Sequence, residues 1–205
     1  MHPALPGHGG GPVEPTWDAN VAAIAGRLGE CEIVVGYSLG ARIAIALVAG
    51  GHVPRAVLIS VNPGISDVER PARRAHDEVW AARLRTGGIA AFVDAWEAQP
   101  LFATAARAPA QDRLARRARR LAHDPEQLAR SLEVMGLAEM PDYRGAVDAR
   151  IHLIAGADDP KFLAIARSLG APLELIAECG HDPTLEQPAA LAAAITRAVT
   201  VLRRR

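Results

Sequence analysis

The segment that most constrains this chain reads Glu32-Ile33-Val34-Val35-Gly36-Tyr37-Ser38-Leu39-Gly40-Ala41-Arg42. The segment 32–35, apolar after Glu32, predicts a buried strand. The Ala/Ile-rich run at 41–49 predicts a helix, which puts Ser38 on a sharp turn between the two elements. Glycine at positions 36 and 40 relieves the backbone crowding that such a turn creates. A Gly-x-Ser-x-Gly pattern can also arise by chance in a chain rich in Gly and Ala, but the flanking strand and helix favour the turn.

Composition limits the classes of protein to which the chain can belong. Its 205 residues are 50% apolar, which suffices for one good core with a smaller subdomain. The 23 basic and 23 acidic residues cancel, so no net charge favours nucleic acid or a membrane surface as a partner. No apolar run approaches the ~18 residues of a membrane-spanning helix, and no basic region followed by an apolar one indicates a secretion signal.

The cysteines indicate the cellular compartment. Cys31 and Cys179 each flank a candidate strand, and a buried free thiol is a better interpretation than a disulfide or a metal pair. We therefore expect a reducing, cytoplasmic compartment and no bound metal.

Hydrophobic periodicity divides the chain into three parts. Helix, strand, helix and strand follow one another from 20 to 60, a pattern that predicts a parallel sheet with covering helices. Residues 66–140 show helical patterns broken by prolines, and from 151 strands and helices alternate again. We predict an α/β fold with a mostly parallel sheet of about four strands and an inserted helical cap. The predicted boundaries are 1–63 for the first part of the core, 64–144 for the cap and 145–205 for the second part of the core.

Polar residues follow the strands of the last third of the chain. The strand predicted at 151–155 is followed by Asp158 and Asp159, and the strand at 173–176 is followed by His181. The carboxyl ends of parallel strands meet at one edge of the sheet, where ligand crevices form and where the serine turn also lies. We therefore expect a serine, a carboxylate and a histidine to meet there.

These three residue types have a defined chemistry. A serine hydroxyl is a weak base and a weak nucleophile, so a neutral imidazole must take its proton, and a carboxylate must fix the imidazole tautomer. A histidine alone in a loop would be an ordinary surface residue, but its placement with the other two favours catalysis. The serine turn and the chain order serine, aspartate, histidine resemble those of the α/β hydrolases. In many of those proteins the acid comes three residues after the glycine that ends the strand, and the resemblance therefore selects Asp159 over Asp158. We predict a triad of Ser38, Asp159 and His181, with Asp158 as a solvated turn residue.

Motifs spread along nearly the whole chain resemble those of one known family. They are Leu5-Pro6-Gly7-His8-Gly9, Gly36-Tyr37-Ser38-Leu39-Gly40-Ala41-Arg42, Asn62-Pro63-Gly64, Trp96, Gln99-Pro100-Leu101-Phe102-Ala103, Gly156-Ala157-Asp158-Asp159-Pro160-Lys161-Phe162 and Gly180-His181. The family that they resemble is that of the 2-succinyl-6-hydroxy-2,4-cyclohexadiene-1-carboxylate synthases of menaquinone biosynthesis, within the α/β-hydrolase superfamily. The serine turn is common to the superfamily, whereas the Gln-Pro-Leu-Phe-Ala and Asp-x-Lys-Phe motifs are narrower.

The resemblance implies the α/β-hydrolase fold and a lyase reaction without a cofactor. Pyruvate is eliminated from 2-succinyl-5-enolpyruvyl-6-hydroxy-3-cyclohexene-1-carboxylate, which gives 2-succinyl-6-hydroxy-2,4-cyclohexadiene-1-carboxylate. Ser38, activated by His181 and Asp159, would abstract a ring proton. The backbone N–H of Leu39 would stabilise the negative charge that develops. The expected partner is therefore a small polycarboxylate.

Such a substrate needs cationic and aromatic contacts. Arg42, one helical turn past the serine, is expected to project near it and to pair with a carboxylate. The resemblance places Arg73 and Arg120 at substrate-binding positions. It also places Trp96 in the pocket wall and Tyr37 beside the nucleophile.

Structural interpretations of the same residues remain open. Arg120 belongs to a run of arginines at the helical spacing that is typical of a solvated face. Arg74 competes with its neighbour Arg73 for the substrate-binding role, and Trp96 could belong to the core of the helical segment.

The start of the chain departs from the family pattern. The first strands and the His-Gly loop that supplies a second oxyanion donor do not precede Leu5, so about 40 to 60 residues are expected to be missing. We interpret the chain as N-terminally truncated, with a catalytically impaired remnant as the alternative. A serine carboxylic-ester hydrolase is the other alternative function, and the sequence leaves the oligomeric state open.

Overall fold

The strands form one parallel sheet within residues 2–204, the part of the chain that the computed structural model describes. They are β1 (Ile33–Tyr37), β2 (Arg55–Ile59), β3 (Ile151–Gly156) and β4 (Leu173–Ile176). The strand order is β1-β2-β3-β4, and every neighbouring pair is parallel. The predicted mostly parallel sheet of four strands is therefore confirmed, with β1 at an edge where the Val35 side chain is exposed.

Helices connect and cover these strands. They are α1 (Trp17–Leu28), α2 (Leu39–Ala49), α3 (Arg70–Glu97), α4 (Ala110–Leu121), α5 (Pro125–Val134), α6 (Pro160–Ser168), α7 (Pro183–Glu186) and α8 (Pro188–Arg203), with short 3₁₀ helices at Pro100–Arg107 and Arg144–Ala146. Capping residues mark the N-termini of two of these helices. Thr16 is the N-cap of α1 and accepts the Ala19 N–H at 3.2 Å, and Asp159 is the N-cap of α6, whose first residue is a proline. The helical character predicted for 66–140 is confirmed.

The sheet is covered on both faces. Successive residues of β2 point to opposite sides, so Ala56 and Leu58 pack with α2 residues such as Ile45, while Val57 and Ile59 pack with residues of α8. Every residue of β3 is buried. Strands made mostly of apolar residues, such as β2 and β3, are typical of parallel sheets with helices on both sides, and such strands lack a regular alternation of polar and apolar residues.

Contacts between Cα atoms group the chain into two units. The helical unit comprises the residues up to Gly29, Gly64–Ala98 and Leu114–Asp142. Its core joins α3 to α5 through buried Ala81, Leu84, Phe92, Val93, Leu128 and Ala129. The sheet unit comprises Glu30–Pro63, Gln99–Arg113 and the residues from Tyr143 onward.

This grouping differs in two places from the predicted boundaries of 1–63, 64–144 and 145–205. Residues up to Gly29 join the helical unit, where the Ser131 hydroxyl donates to the carbonyl of Pro6 at 2.7 Å. Residues 99–113 join the sheet unit, where the Thr104 side chain packs on Gly180. Whether these units are separate folding domains stays a prediction.

Two negative observations concern the described residues only. No helix among them is both long enough and apolar enough to cross a membrane. Cys31 and Cys179 are both free, and Cys179 is buried as the sequence predicted while Cys31 is half-buried.

Candidate functional site

Ser38 is the single residue that connects a strand to a helix, as the glycine pattern predicted. β1 ends at Tyr37 and α2 begins at Leu39, and Ser38 has the left-handed backbone angle φ 51° that L-residues rarely adopt. A Cβ on Gly36 would lie 2.3 Å from the carbonyl oxygen of Gly40, so the chain can turn this tightly only with glycine there. The Ser38 hydroxyl makes no capping bond to α2, which leaves it for other partners.

Asp159, the predicted acid, is held by contacts of both its carboxylate oxygens. Asp159 caps the N-terminus of α6 by accepting the Phe162 N–H at 3.1 Å on Oδ1. Its other oxygen, Oδ2, lies 2.9 Å from Nδ1 of His181, and both side chains are only 3% exposed. A carboxylate held in this way fixes the imidazole with its proton on Nδ1.

The imidazole of His181, the predicted base, faces Ser38. Nε2 of His181 lies 3.4 Å from Oγ of Ser38, and with Nδ1 donating to Asp159 it is the nitrogen left to accept the hydroxyl proton. A separation of 3.4 Å is long for a strong hydrogen bond, and bonds of this kind tighten when reacting groups bind. The structure thus brings together the three residues that the sequence selected, in one unit of the chain.

The loops that carry acid and base are tied to each other. The N–H of Asp158 donates to the carbonyl of Cys179 at 2.8 Å, and the Gly180 N–H donates to Glu186 at 2.8 Å. A Cβ on Gly156 would lie 2.1 Å from the carbonyl oxygen of Gly180. Burial raises the pKa of the Cys179 thiol to about 12, so the cysteine next to this site is a neutral packing residue.

Aromatic rings surround the imidazole of His181. The ring centroids of Phe162, Tyr37 and Phe102 lie 4.3, 5.6 and 6.0 Å from it. Tyr37 was expected beside the nucleophile, whereas sequence reasoning gave Phe102 and Phe162 no role. Both phenylalanines stand in motifs that carried the family resemblance, and that was the available indication.

Two other predicted residues belong to α2. Leu39 is its first residue, so its N–H is among those that have no partner within the helix. Arg42 lies one turn further on and is half-buried, and its N–H donates to the Ser38 carbonyl at 3.1 Å. Their roles in binding stay predictions.

The other predicted arginines belong to the helical unit and hold acidic partners there. Nε of Arg73 lies 2.8 Å from the buried carboxylate of Asp77, and Nη1 of Arg120 lies 2.9 Å from Glu97. Arg120 is therefore in an ion pair and only 21% exposed at its side chain, rather than on a fully solvated face. Its neighbours in the arginine run include Arg117, which pairs with Glu97 as well.

The structural interpretations of Arg74 and Trp96 can be compared with their contacts. Arg74 pairs with Glu139 at 2.8 Å and is half exposed. Trp96 stacks on Phe92 with ring centroids 5.3 Å apart and meets Trp80 edge-on at 5.1 Å. Trp96 is thus part of an aromatic cluster in the helical unit, and its role in a pocket stays a prediction.

Asp158 is an exposed residue in a turn, as predicted. Its carboxylate also forms an ion pair with Arg107, which stands 51 residues earlier, and the sequence did not predict this contact. The pair raises the pKa of the Arg107 guanidinium, chiefly through its hydrogen bond to Asp158. Among the described residues, no group of three or more His, Cys, Asp and Glu side chains is arranged to hold a metal ion.

The sequence of this chain matches those of known proteins over most of its length. The model of the Alpha/beta hydrolase family matches residues 1–194. This chain belongs to the alpha/beta hydrolase family. Within the family, it is 34% identical over 220 residues to the 2-succinyl-6-hydroxy-2,4-cyclohexadiene-1-carboxylate synthase of Klebsiella pneumoniae subsp. pneumoniae, an alignment that covers 94% of this chain and 80% of that enzyme.

Solved structures of the alpha/beta hydrolase family show the same fold. MenH from S. aureus superposes with a TM-score of 0.89 and 26% identity, over 98% of this chain and 81% of that one. A thermophilic esterase from Thermogutta terrifontis superposes with a TM-score of 0.78 and 24% identity, over 97% and 78% of the two chains. At that lower identity the esterase shows the fold alone.

Proposed function

We propose that this chain is a 2-succinyl-6-hydroxy-2,4-cyclohexadiene-1-carboxylate synthase, a carbon-oxygen lyase of menaquinone biosynthesis. The observation that carries the proposal is its 34% identity, across 94% of its length, to an enzyme of that name. The substrate would be 2-succinyl-5-enolpyruvyl-6-hydroxy-3-cyclohexene-1-carboxylate, a small polycarboxylate, and the reaction would take place in the cytoplasm without a cofactor.

In this proposal Ser38 is a base rather than an acyl acceptor. His181 takes the hydroxyl proton on Nε2, and the resulting oxyanion abstracts a proton from a ring carbon of the substrate. The electrons of that C–H bond move into the ring, the ring C–O bond breaks, and the enolate that leaves takes up a proton to become pyruvate. Asp159 keeps His181 oriented and stabilises its cation, an assignment supported by the 2.9 Å contact between their side chains.

Charge on the substrate would be matched by donors and cations. The Leu39 N–H at the start of α2 is a suitable donor to the oxygen on which negative charge develops. Arg42, Arg73 and Arg120 would pair with carboxylates. Because Arg73 and Arg120 already hold Asp77 and Glu97, a bound carboxylate would share each guanidinium with its present partner.

Aromatic residues would complete the pocket. Tyr37, whose ring centroid lies 5.6 Å from that of His181, would border the reacting ring of the substrate. Trp96 would offer it an apolar wall.

The competing function is a serine carboxylic-ester hydrolase, which would use the same triad on an uncharged ester. The test offers the purified chain the succinyl-cyclohexene substrate and neutral aryl esters in parallel, and follows pyruvate and phenol release. We expect pyruvate release, with aryl esters turned over far more slowly. Rapid ester hydrolysis without pyruvate release would instead assign the triad to the hydrolase.

A further inference from the structure

The segment Pro100–Arg107, here called the strap, touches both loops that carry the acid and the base. It is a 3₁₀ helix with a proline at its start, and another proline, Pro109, follows its end. The Phe102 N–H donates to the Gln99 carbonyl at 2.9 Å, which closes the first turn. Prolines restrict the backbone at both ends, so the strap presents its side chains from a stiff segment.

The strap contacts the base loop at Gly180. A Cβ on Gly180 would lie 2.0 Å from Oγ1 of Thr104 and 2.9 Å from its Cβ, so only glycine permits this approach. One residue further along the loop, the ring of His181 meets the ring of Phe102 at 67°, with centroids 6.0 Å apart. The Thr104 hydroxyl is buried without a hydrogen-bond partner, so its contact with the base loop is one of packing.

The strap contacts the acid loop at Asp158. The Arg107 guanidinium forms an ion pair with the carboxylate of Asp158, the residue before Asp159. The same Asp158 donates its backbone N–H to Cys179, two residues before His181. Holding the Asp158 side chain therefore restrains the point at which the two loops are joined.

We propose that the strap is a positioning device for the triad, in which Arg107, through Asp158, holds the acid and base loops in register while Thr104 packs against the base loop. The inference rests on the proposed function only in requiring that His181 activates Ser38. Arg107 touches no reacting atom, so it is a positioning residue and not a catalytic one.

Charge around Arg107 agrees with this role. Besides Asp158, the carboxylates of Glu186 and Glu178 act on the guanidinium and help to raise its pKa. Removing the cation would leave these anions uncompensated and release Asp158. A displacement of the acid loop by a fraction of an ångström is enough to slow a triad, because catalysis is sensitive to small misplacements.

The test uses the full chain and a readout that does not depend on the physiological substrate. A fluorophosphonate probe bonds to Ser38 Oγ through phosphorus, fluoride leaves, and the serine proton passes to His181, so the labelling rate reports how well the triad activates Ser38. We expect Arg107→Ala and Asp158→Ala each to slow labelling about 3- to 10-fold. The double variant should be no slower than either single one, because both remove the same contact.

Arg150→Ala is the matched control. Arg150 forms an exposed ion pair with Asp148 in the same unit, at 2.9 Å, before β3. Arg107→Ala and Arg150→Ala each lose one exposed ion pair, so their melting temperatures should be alike. Only Arg107→Ala should react slowly with the probe, and in pyruvate release it should lower kcat and leave KM unchanged. Arg107→Lys keeps the charge and should recover most of the rate.

The outcomes separate this inference from the proposed function. If Arg107→Ala labels as fast as Arg150→Ala, the positioning role is overturned. If Arg107→Ala labels slowly while the unaltered chain releases no pyruvate, the positioning role is supported and the proposed lyase function is overturned.

Discussion

At the scale of single residues, backbone contacts at glycine hold the serine in place. A Cβ on Gly36 would lie 2.3 Å from the carbonyl oxygen of Gly40 and 2.4 Å from its carbonyl carbon. Both atoms belong to the backbone, so no rotamer change can make room. The geometry of Ser38 therefore depends on Gly36, a residue that has no side chain.

Gly36→Ala should destabilise the fold and reduce activity. Overpacking of this kind costs about 1–3 kcal/mol, and the backbone shift that relieves it would move Ser38. Chemical denaturation and the fluorophosphonate labelling rate measure the two effects. The control is Gly26→Ala in α1, where a Cβ would meet nothing within 4 Å. This substitution should raise the free energy of unfolding slightly, because glycine within a helix is less favourable than alanine. If Gly36→Ala and Gly26→Ala had the same free energy of unfolding and the same labelling rate, the steric argument would be contradicted.

The carboxylate of Asp159 should contribute far more to the rate of the reaction than to substrate binding. Asp159→Asn keeps the shape but no longer requires a proton on Nδ1 of His181, so Nε2 would lose its ability to accept from Ser38. We expect kcat to fall about 10³- to 10⁴-fold with little change in KM. Steady-state kinetics of pyruvate release checks this, and a loss below about tenfold would mean that Asp159 is not the acid.

The two cysteines should differ in reactivity. Burial raises the pKa of Cys179 to about 12, whereas Cys31 is half-buried. Alkylation requires the thiolate, so iodoacetamide at pH 8 should modify Cys31 and leave Cys179 intact in the folded chain. Peptide mass spectrometry reads both sites, with a denatured sample as control. Modification of Cys179 at the rate of Cys31 would show that its surroundings are open.

At the scale of elements, a loop near the start of the chain contains His8 and contacts His123, two histidines whose protonation is opposed by burial. In the helical unit, Nδ1 of His8 donates to the Pro6 carbonyl at 2.8 Å, and Nδ1 of His123 accepts the Gly9 N–H at 3.3 Å. Burial lowers the pKa of His8. Burial, followed by the charges of His8 and Arg120, lowers the pKa of His123.

The sign of the pH dependence follows from these shifts. Below about pH 6.5 the unfolded chain takes up protons that the folded chain resists, so the free energy of unfolding should fall as the pH drops through this range. Thermal melts from about pH 7.5 to about pH 5.5 measure it, above the range in which carboxylates titrate. In a variant with both His8→Gln and His123→Gln, the melting temperature should change less with pH than in the unaltered chain. An equally steep change would show that these two histidines do not cause the pH dependence.

Most elements could be predicted from the sequence because their signals are local. Apolar runs and proline breaks predict the strands and helices, and the polar residues after β3 and β4 predict that Asp159 and His181 lie at one edge of the sheet. The ion pair of Arg107 with Asp158 and the packing of Thr104 on Gly180 were not predicted. They join residues 51 and 76 positions apart along the chain, and no periodic pattern encodes such a contact. The family resemblance did mark Gln99–Ala103, but as a motif without a structural role.

At the scale of the whole molecule, the chemistry of the sheet unit and that of the helical unit are distinct. The sheet unit holds the serine, histidine and aspartate, which are common to acyl transfer and to proton abstraction. Arg73 and Arg120 belong to the helical unit, and cations of this kind suit a substrate with several carboxylates. The proposed lyase would therefore depend on these arginines, whereas hydrolysis of a neutral ester would not require them.

The central claim is that Ser38 is the base that eliminates pyruvate. The most direct measurement compares pyruvate release from the succinyl-cyclohexene substrate by the 205-residue chain and by its Ser38→Ala variant, with matching melting temperatures as the control for folding. We predict that the unaltered chain releases one pyruvate per substrate consumed and that the variant is at least about 10³-fold slower. Equal rates for the two chains, or no pyruvate from the unaltered one, would contradict the claim.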